Sequence, residues 1–155
     1  MASIMPPPSG FCQALILRKG GCGEKNPETR GLSPGSLAFF KITCPTCQFT
    51  LPFLERLAAS DKLQFVAVSQ DGVKGTANFL KEYGVKFLTL LDASGYPVSN
   101  DYGITHVPTV FVVEQDGKIS ASFDGFSKRD VAALGQRAGI EPFQPGDYVP
   151  EWKAG

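Results

Sequence analysis

Leu37-Ala38-Phe39-Phe40-Lys41-Ile42-Thr43-Cys44-Pro45-Thr46-Cys47-Gln48-Phe49 is the stretch on which the reading of this chain turns. Leu37 to Ile42 is a mostly apolar run of the length expected for a β-strand buried on both faces. Beyond Cys47 the apolar period changes: Phe49, Phe53, Leu54, Leu57 and Ala58 recur at helical spacing, with Glu55, Arg56 and Ser60 set against them. The C-x-x-C motif therefore falls where a strand hands over to a helix, and that placement gives it a mechanism. With Cys44 at the N-cap and Pro45 in the first helical position, proline forfeits no intrahelical bond and the Cys44 sulfur faces free backbone N–H groups. The positive end of the helix dipole then favours thiolate over thiol, and cysteines in such settings titrate at roughly 3.5–7.5. Cys44 is the expected nucleophile. Cys47, one turn along on the same side, is expected to lie deeper and to attack the mixed disulfide, releasing the partner's thiol.

Outward from this stretch the chain alternates. Leu63 to Ser69 is strand-like, Thr76 to Tyr83 helical and Phe87 to Asp92 strand-like again, which is βαβ material whose strands pair in parallel through right-handed crossovers. After a turn-rich stretch, Thr109 to Glu114 and Lys118 to Phe123 flank Gln115-Asp116-Gly117, a β-hairpin signal because Asp-Gly readily takes the positive φ such turns need. Ser127 is placed to cap a last helix that runs to about Ala138 and stops at Gly139. Upstream, Met1 to Gly10 carries a proline run expected to be extended, Gln13 to Arg18 reads as a first strand, and Lys19 to Gly35 as loop or hairpin. Of 29 Gly and Pro residues only 12 lie in the 103 residues from Ser36 to Ala138, so turn chemistry concentrates in the flanks. One domain is expected, with residues 1–35 an extension, 36–138 the core and 139–155 a Pro-spaced tail whose Phe143, Tyr148 and Trp152 are placed to lie across it.

Composition agrees with a single α/β domain. The chain has 155 residues, 15 Lys+Arg against 15 Asp+Glu, and 43% apolar residues, which argues against a disordered tail or a basic nucleic-acid binder. A core of this size removes about 68–70% of the unfolded surface from water, so folding does not require disulfides and four cysteines need another reason. No run approaches the roughly 18 apolar residues of a membrane span, and the first basic residue is Arg18, so no charged leader precedes an apolar core. The expectation is a cytoplasmic protein without a membrane span, or a periplasmic one had a leader been removed.

Other uses of the cysteines weigh less. Cys12, Cys22, Cys44 and Cys47 as a zinc site would have spacings of ten, twenty-two and three, whereas structural zinc sites usually use two short-spaced pairs. Inert core thiols fit poorly at a strand-to-helix turn, which is exposed at its tip. Cys12 and Cys22 either form a disulfide, which chain entropy values at about 3 kcal/mol or a little less, or stay unpaired; a bridge would point to an oxidising compartment. In Thr105-His106-Val107-Pro108-Thr109 the Val107–Pro108 bond is expected to be trans on sequence alone, since only about 5–6% of X-Pro bonds in folded proteins are cis.

Phe39-Phe40 through Cys44-Pro45-Thr46-Cys47, Pro52 within the helix, Val107-Pro108-Thr109 with Phe111-Val112-Val113, and Asp116-Gly117-Lys118-Ile119 together resemble the thioredoxin-like thiol-disulfide oxidoreductases. Within them the chain looks most like the TlpA and ResA branch of the redoxin group, over roughly Leu37 to Ala138. The 60 residues between Cys47 and Pro108 leave room for the added βα unit, Leu63 to Tyr83, that this branch carries. The resemblance implies a thioredoxin-like fold with a central mixed sheet of four or five strands flanked by helices. It also implies a cis Pro108 facing the cysteines and a kinking Pro52, although a mid-helix proline taken alone counts against the helix. A Val107 backbone turned outward would let a substrate peptide pair beside the reacting sulfur.

Departures from the family pattern are informative. Thr43 stands where the family usually has Trp before the first cysteine, so the substrate-binding residues implied are Val107, Pro108 and Thr43 with a flat contact surface missing. The two positions where relatives carry a buried acid are Ala38 and Thr50 here. Such a carboxylate would assist proton removal from Cys47, leaving water or a later residue such as Glu82 to take over.

The resemblance implies an enzyme that exchanges a Cys44–Cys47 dithiol for disulfides in protein partners. It leans towards reductant, uses no organic cofactor or metal, and is expected to act as a monomer. Two alternatives accompany it. Peroxidases of related fold carry Pro and Thr or Ser upstream of the reacting cysteine; seven and three residues before Cys44 stand Leu37 and Lys41, and before Cys47 Phe40 and Cys44, so that pattern fails. A copper carrier would use Cys44, Cys47 and His106, the only histidine, which is otherwise a half-exposed loop residue or a support for the Cys44 thiolate.

Overall fold

Residues Leu37 to Phe40 are buried on both sides, and the sheet is built around them. The computed structural model describes Ile4–Met5 and residues 34–155; the strand expected at Gln13 to Arg18, together with Cys12 and Cys22, lies outside the described residues. In chain order the elements are β1 (Ile4–Met5), β2 (Gly35–Phe40), α1 (Pro45–Leu57), β3 (Gln64–Ser69), α2 (Val73–Glu82), β4 (Leu88–Leu91), α3 (Pro97–Asp101), β5 (Thr109–Val113), β6 (Ile119–Asp124), β7 (Phe126–Ser127), α4 (Lys128–Ala138) and β8 (Trp152–Lys153). The main sheet has six strands in the order β1-β4-β3-β2-β5-β6, and β7 and β8 form a separate pair. Strands β1, β4, β3 and β2 run parallel, while β5 is antiparallel to β2 and β6 to β5. The mixed sheet is as expected, but six strands exceed the four or five implied, because Ile4–Met5 adds an edge against Thr89 and Leu90.

Alternation explains the two-sided burial. Ala38 and Phe40 point into one apolar cluster with Ala67, Leu51, Leu54, Phe79 and Leu134, while Leu37 and Phe39 point into the opposite one with Val66, Val68, Leu90 and Tyr102. Each face is thereby closed, the first by α1, α2 and α4. The strand stops at Phe40, two residues short of the expected end, because the Ile42 N–H is taken by the Asp71 carboxylate at 2.7 Å instead of by a neighbouring strand. The chain then turns, with Cys44 N–H donating to the Lys41 carbonyl at 3.2 Å.

Helix α1 continues through Pro52. Its buried residues Cys47, Thr50, Leu51, Leu54 and Leu57 recur at three and four, and that apolar stripe outweighs the one intrahelical bond proline removes. On another side Phe53, with the partly buried Phe49, packs against Phe126, Val131, Phe143 and Val149, so the chain after α4 is tied back to α1. Arg56 strengthens the tie by pairing with Asp147 at 2.6 Å and donating to the Pro142 carbonyl at 2.9 Å. Ser127 caps α4 by accepting the Asp130 N–H, and Gly139 ends it at φ 70°, as the sequence predicts. The short α3 was hidden in the turn-rich stretch. Its start is organised by buried Asp92, which accepts from the Val98 and Ser99 N–H groups at 3.0 and 2.8 Å.

Candidate active site

Strand β2, in the middle of the sheet, delivers the chain to the C-terminal end of the parallel strands, and α1 begins just beyond it with Cys44 as its N-cap and Pro45 in the first turn. The Cys44 Sγ accepts the Cys47 backbone N–H at 3.2 Å, so the sulfur itself caps the helix. On its other side the Cys44 thiol donates to the Val107 carbonyl at 3.3 Å. Both cysteines are free thiols; Cys44 is partly exposed and Cys47 fully buried. Depth thus separates the two sulfurs in the expected sense.

Burial pushes the Cys47 thiol far above its ordinary range, the hydrogen bond with Cys44 adds to this, and the Lys41 backbone N–H opposes it. The sign of the consequence follows from proton binding. Unfolded Cys47 ionises near pH 8.5, whereas folded Cys47 holds its proton to higher pH. Stability from this group is therefore complete below about pH 8.5 and is lost progressively as pH climbs from there towards the folded value. Denaturant melts of the reduced protein between pH 7.5 and 10 are expected to lose up to about 1.4 kcal/mol per pH unit more than those of Cys47→Ala. Parallel slopes for the two proteins would show that folding does not hold the proton on Cys47.

The Val107–Pro108 bond is cis, as the resemblance implies and against the trans form favoured by sequence alone. Pro108 is buried, and its carbonyl accepts the Gly125 N–H at 2.8 Å, which fixes the start of β5 beside β7. Val107 does not present a free carbonyl outward: that oxygen faces the Cys44 sulfur and, from the other side, Gly155. Thr43 is exposed in the turn before the helix. Thr46, between the cysteines, is only 6% exposed because its hydroxyl donates to the Ala154 carbonyl at 2.6 Å. Sequence reasoning missed this contact. The tail's Phe143 does pack on the body of the domain, but Trp152 joins through its backbone, pairing with Ser127, and a backbone contact leaves no signal in residue type.

The acid positions left empty by the sequence are apolar or internally satisfied here. Ala38 is buried, and the Thr50 hydroxyl donates to the Thr46 carbonyl at 2.7 Å. Glu82 does not replace them, since it is exposed near the end of α2. Asp71, half-buried just beyond β3, accepts the Ile42 N–H at 2.7 Å, and its negative charge adds the smallest of the upward pushes on the Cys47 thiol. Its signal was a Gln70-Asp71-Gly72 turn closing a buried strand, which reads as ordinary loop chemistry. His106 is exposed and turned to Thr105 Oγ1 at 3.0 Å and Asp124 at 4.0 Å. Among the described residues no three His, Cys, Asp or Glu side chains gather as a metal site, so Cys44, Cys47 and His106 do not assemble the copper site considered above. No helix among the described residues is long and apolar enough to cross a membrane.

Comparison with known proteins supports the same architecture. ResA, a thiol-disulfide oxidoreductase of Bacillus thuringiensis subsp. konkukian (strain 97-27), is 28% identical over 93 residues, covering 57% of this chain and 53% of that protein. The methylamine utilization protein MauD of Methylophilus methylotrophus is 31% identical over 106 residues, covering 64% and 47%. The chain thus spans about half the length of the curated relatives it matches. Among solved structures, MTB dsbF superposes with a TM-score of 0.60 at 30% identity, covering 69% of this chain and 79% of that one. A DsbE thiol:disulfide interchange protein from Chlorobium tepidum gives 0.61 at 29% identity, covering 71% and 79%. The Redoxin family model matches residues 37–137, from the strand that leads to the cysteines to the last turn of α4, and the chain belongs to that family.

Proposed function

We propose that this protein is a thiol-disulfide oxidoreductase that passes two electrons between the Cys44–Cys47 pair and disulfides in protein partners. The observation that carries the reading is the placement of the two sulfurs: Cys44 at the start of α1 within reach of the surface, and Cys47 one turn below it with no exposure. In the reducing direction the Cys44 thiolate attacks one sulfur of the partner's disulfide, that S–S bond breaks, and the displaced sulfur leaves as a thiolate that takes up a proton. Cys47 then gives up its proton and attacks Cys44 in the mixed disulfide. The second partner thiolate departs and is protonated, leaving a Cys44–Cys47 disulfide and a partner reduced by two electrons and two protons.

Thr43, Val107 and Pro108 form the surface against which we infer the partner lies. Thr43 is exposed, and Val107 and Pro108 border the sulfur through the Val107 carbonyl. The chemistry balances between thiols and disulfides alone and needs no organic cofactor. All its parts come from one chain, so the monomer is taken as the working unit. The relatives named ResA, a thiol-disulfide oxidoreductase, and DsbE, a thiol:disulfide interchange protein, support the reaction class, and the reductant direction is the one towards which the resemblance leans.

Equilibration with glutathione or thioredoxin buffers tests the direction. A midpoint nearer the −270 mV of thioredoxin than the roughly −120 mV of DsbA is expected. A couple as oxidising as DsbA would reverse the assignment, and failure to reduce insulin disulfides under dithiothreitol would end it.

A further inference from the structure

The segment Glu151–Gly155 runs across the mouth of the site. Strand β8 pairs antiparallel with β7, setting Lys153 opposite Phe126 and Trp152 opposite Ser127. The pairing is prolonged where the Lys128 N–H donates to the Glu151 carbonyl at 3.1 Å, and those two side chains also form an ion pair at 3.0 Å. Farther along, the Ala154 carbonyl accepts the Thr46 hydroxyl at 2.6 Å. Gly155 lies so close to Val107 that a Cβ on it would stand 2.5 Å from the Val107 carbonyl oxygen. Gly125, at φ 66°, is just as tight beneath the Lys153 carbonyl, where a side chain could not fit. The Lys153 ammonium sits 5.6 Å from the centre of the Phe49 ring.

One extended segment therefore touches three places around Cys44: Thr46, one of the two residues between the cysteines, Val107 before Pro108, and the Gly125–Ser127 turn. Main-chain pairing to an exposed edge, with small residues where two backbones come closest, is how an extended peptide is held. We propose that Trp152–Gly155 is an internal occupant of the groove that receives partner peptides, and that partners must displace it to reach Cys44. The inference rests on the oxidoreductase reading only for the identity of the displaced competitor. The occupant also states what the groove accepts: an extended strand with small side chains, as in Ala154-Gly155, where it passes Thr46 and Val107. Its hold is limited to a two-residue strand and a few polar contacts, and Trp152 itself is 60% exposed, so it can be displaced without disturbing the core.

Two variants test this: a chain ending at Pro150, and full-length Lys153→Pro, which removes the β8 N–H from the pairing. The readouts are the rate at which a bulky polyethylene-glycol maleimide labels Cys44, located by mass spectrometry, and the KM and kcat for reduction of a protein disulfide. Melting temperatures confirm that both variants fold. Labelling is expected to rise about 3- to 10-fold in both variants and KM to fall by a similar factor, because a groove that is mostly closed taxes binding by its open fraction. The redox midpoint should not move. Trp152, the only tryptophan, should also lose fluorescence anisotropy when a peptide is trapped on Cys44. Unchanged labelling would overturn the proposal, as would a raised KM, which would make the segment part of the partner's docking surface. Faster labelling in a protein that exchanges no disulfide would refute the oxidoreductase reading and leave the occupant standing.

Discussion

Cys44→Ser abolishes disulfide exchange while leaving the fold in place; that is the expected result, and the two halves of it separate chemistry from structure. Serine is among the preferred N-cap residues, so its hydroxyl can accept the Cys47 N–H that the Cys44 sulfur accepts at 3.2 Å in the native chain. The melting temperature should move by only a few degrees. An un-ionised hydroxyl does not attack a disulfide at neutral pH, and loss of a covalent nucleophile commonly removes several orders of magnitude of rate. Insulin reduction should therefore fall by at least about 1000-fold, to the background set by dithiothreitol. Turnover within tenfold of the native rate would show that the reacting sulfur is elsewhere and would undo the roles assigned to both cysteines.

The parts of this fold that could be read from sequence are those in which side-chain chemistry repeats. The two-faced burial of Leu37 to Phe40, the helical stripe after Cys47, the Asp116-Gly117 hairpin and the Ser127-to-Gly139 helix each leave a pattern in residue type, because the apolar face and the turn geometry both select residues. The strand pairing of Phe126–Ser127 with Trp152–Lys153 leaves none. It is made by backbone groups in two-residue segments too short for a period, and Gly125, whose missing side chain lets the Lys153 carbonyl come close, looks like an ordinary turn glycine until the neighbouring segment is seen.

The site divides in the same way. Cys44 and Cys47 were visible because their spacing falls on a strand-to-helix junction, and Pro108 because the family pattern marks it. Thr46 was not, since a threonine between two cysteines reads as a spacer; its meaning depends on the Ala154 carbonyl more than a hundred positions away. The missing acid shows the limit from the other side. Offsets from Cys44 find Ala38 and Thr50 without an acid, but an offset cannot find a carboxylate that arrives from beyond a neighbouring strand. Asp71 meets the Ile42 N–H at the end of β2 only because β3 lies in parallel register beside β2, with Ser69 opposite Phe40.

Cys47→Ser should convert a catalyst into a trap. The first attack needs only Cys44, so the variant still opens a partner's disulfide, but no second sulfur stands one turn below to expel the partner. The native rate of that second step comes from holding the thiol in place, and a bulk thiol at millimolar concentration replaces it poorly. Turnover should fall by at least about 100-fold, and a one-to-one adduct linked through Cys44, dissolved by excess dithiothreitol, should accumulate. Burying a serine hydroxyl where Cys47 had no exposure costs about 1–3 kcal/mol unless it finds a partner, so Cys47→Ala serves as a second trap without that penalty. Cys12 and Cys22 are replaced by serine in both backgrounds, so that neither can act as a substitute resolving thiol. If adducts fail to accumulate in either protein while substrate continues to be reduced at the native rate, Cys47 is not the resolving sulfur, and its depth beneath Cys44 would serve packing alone.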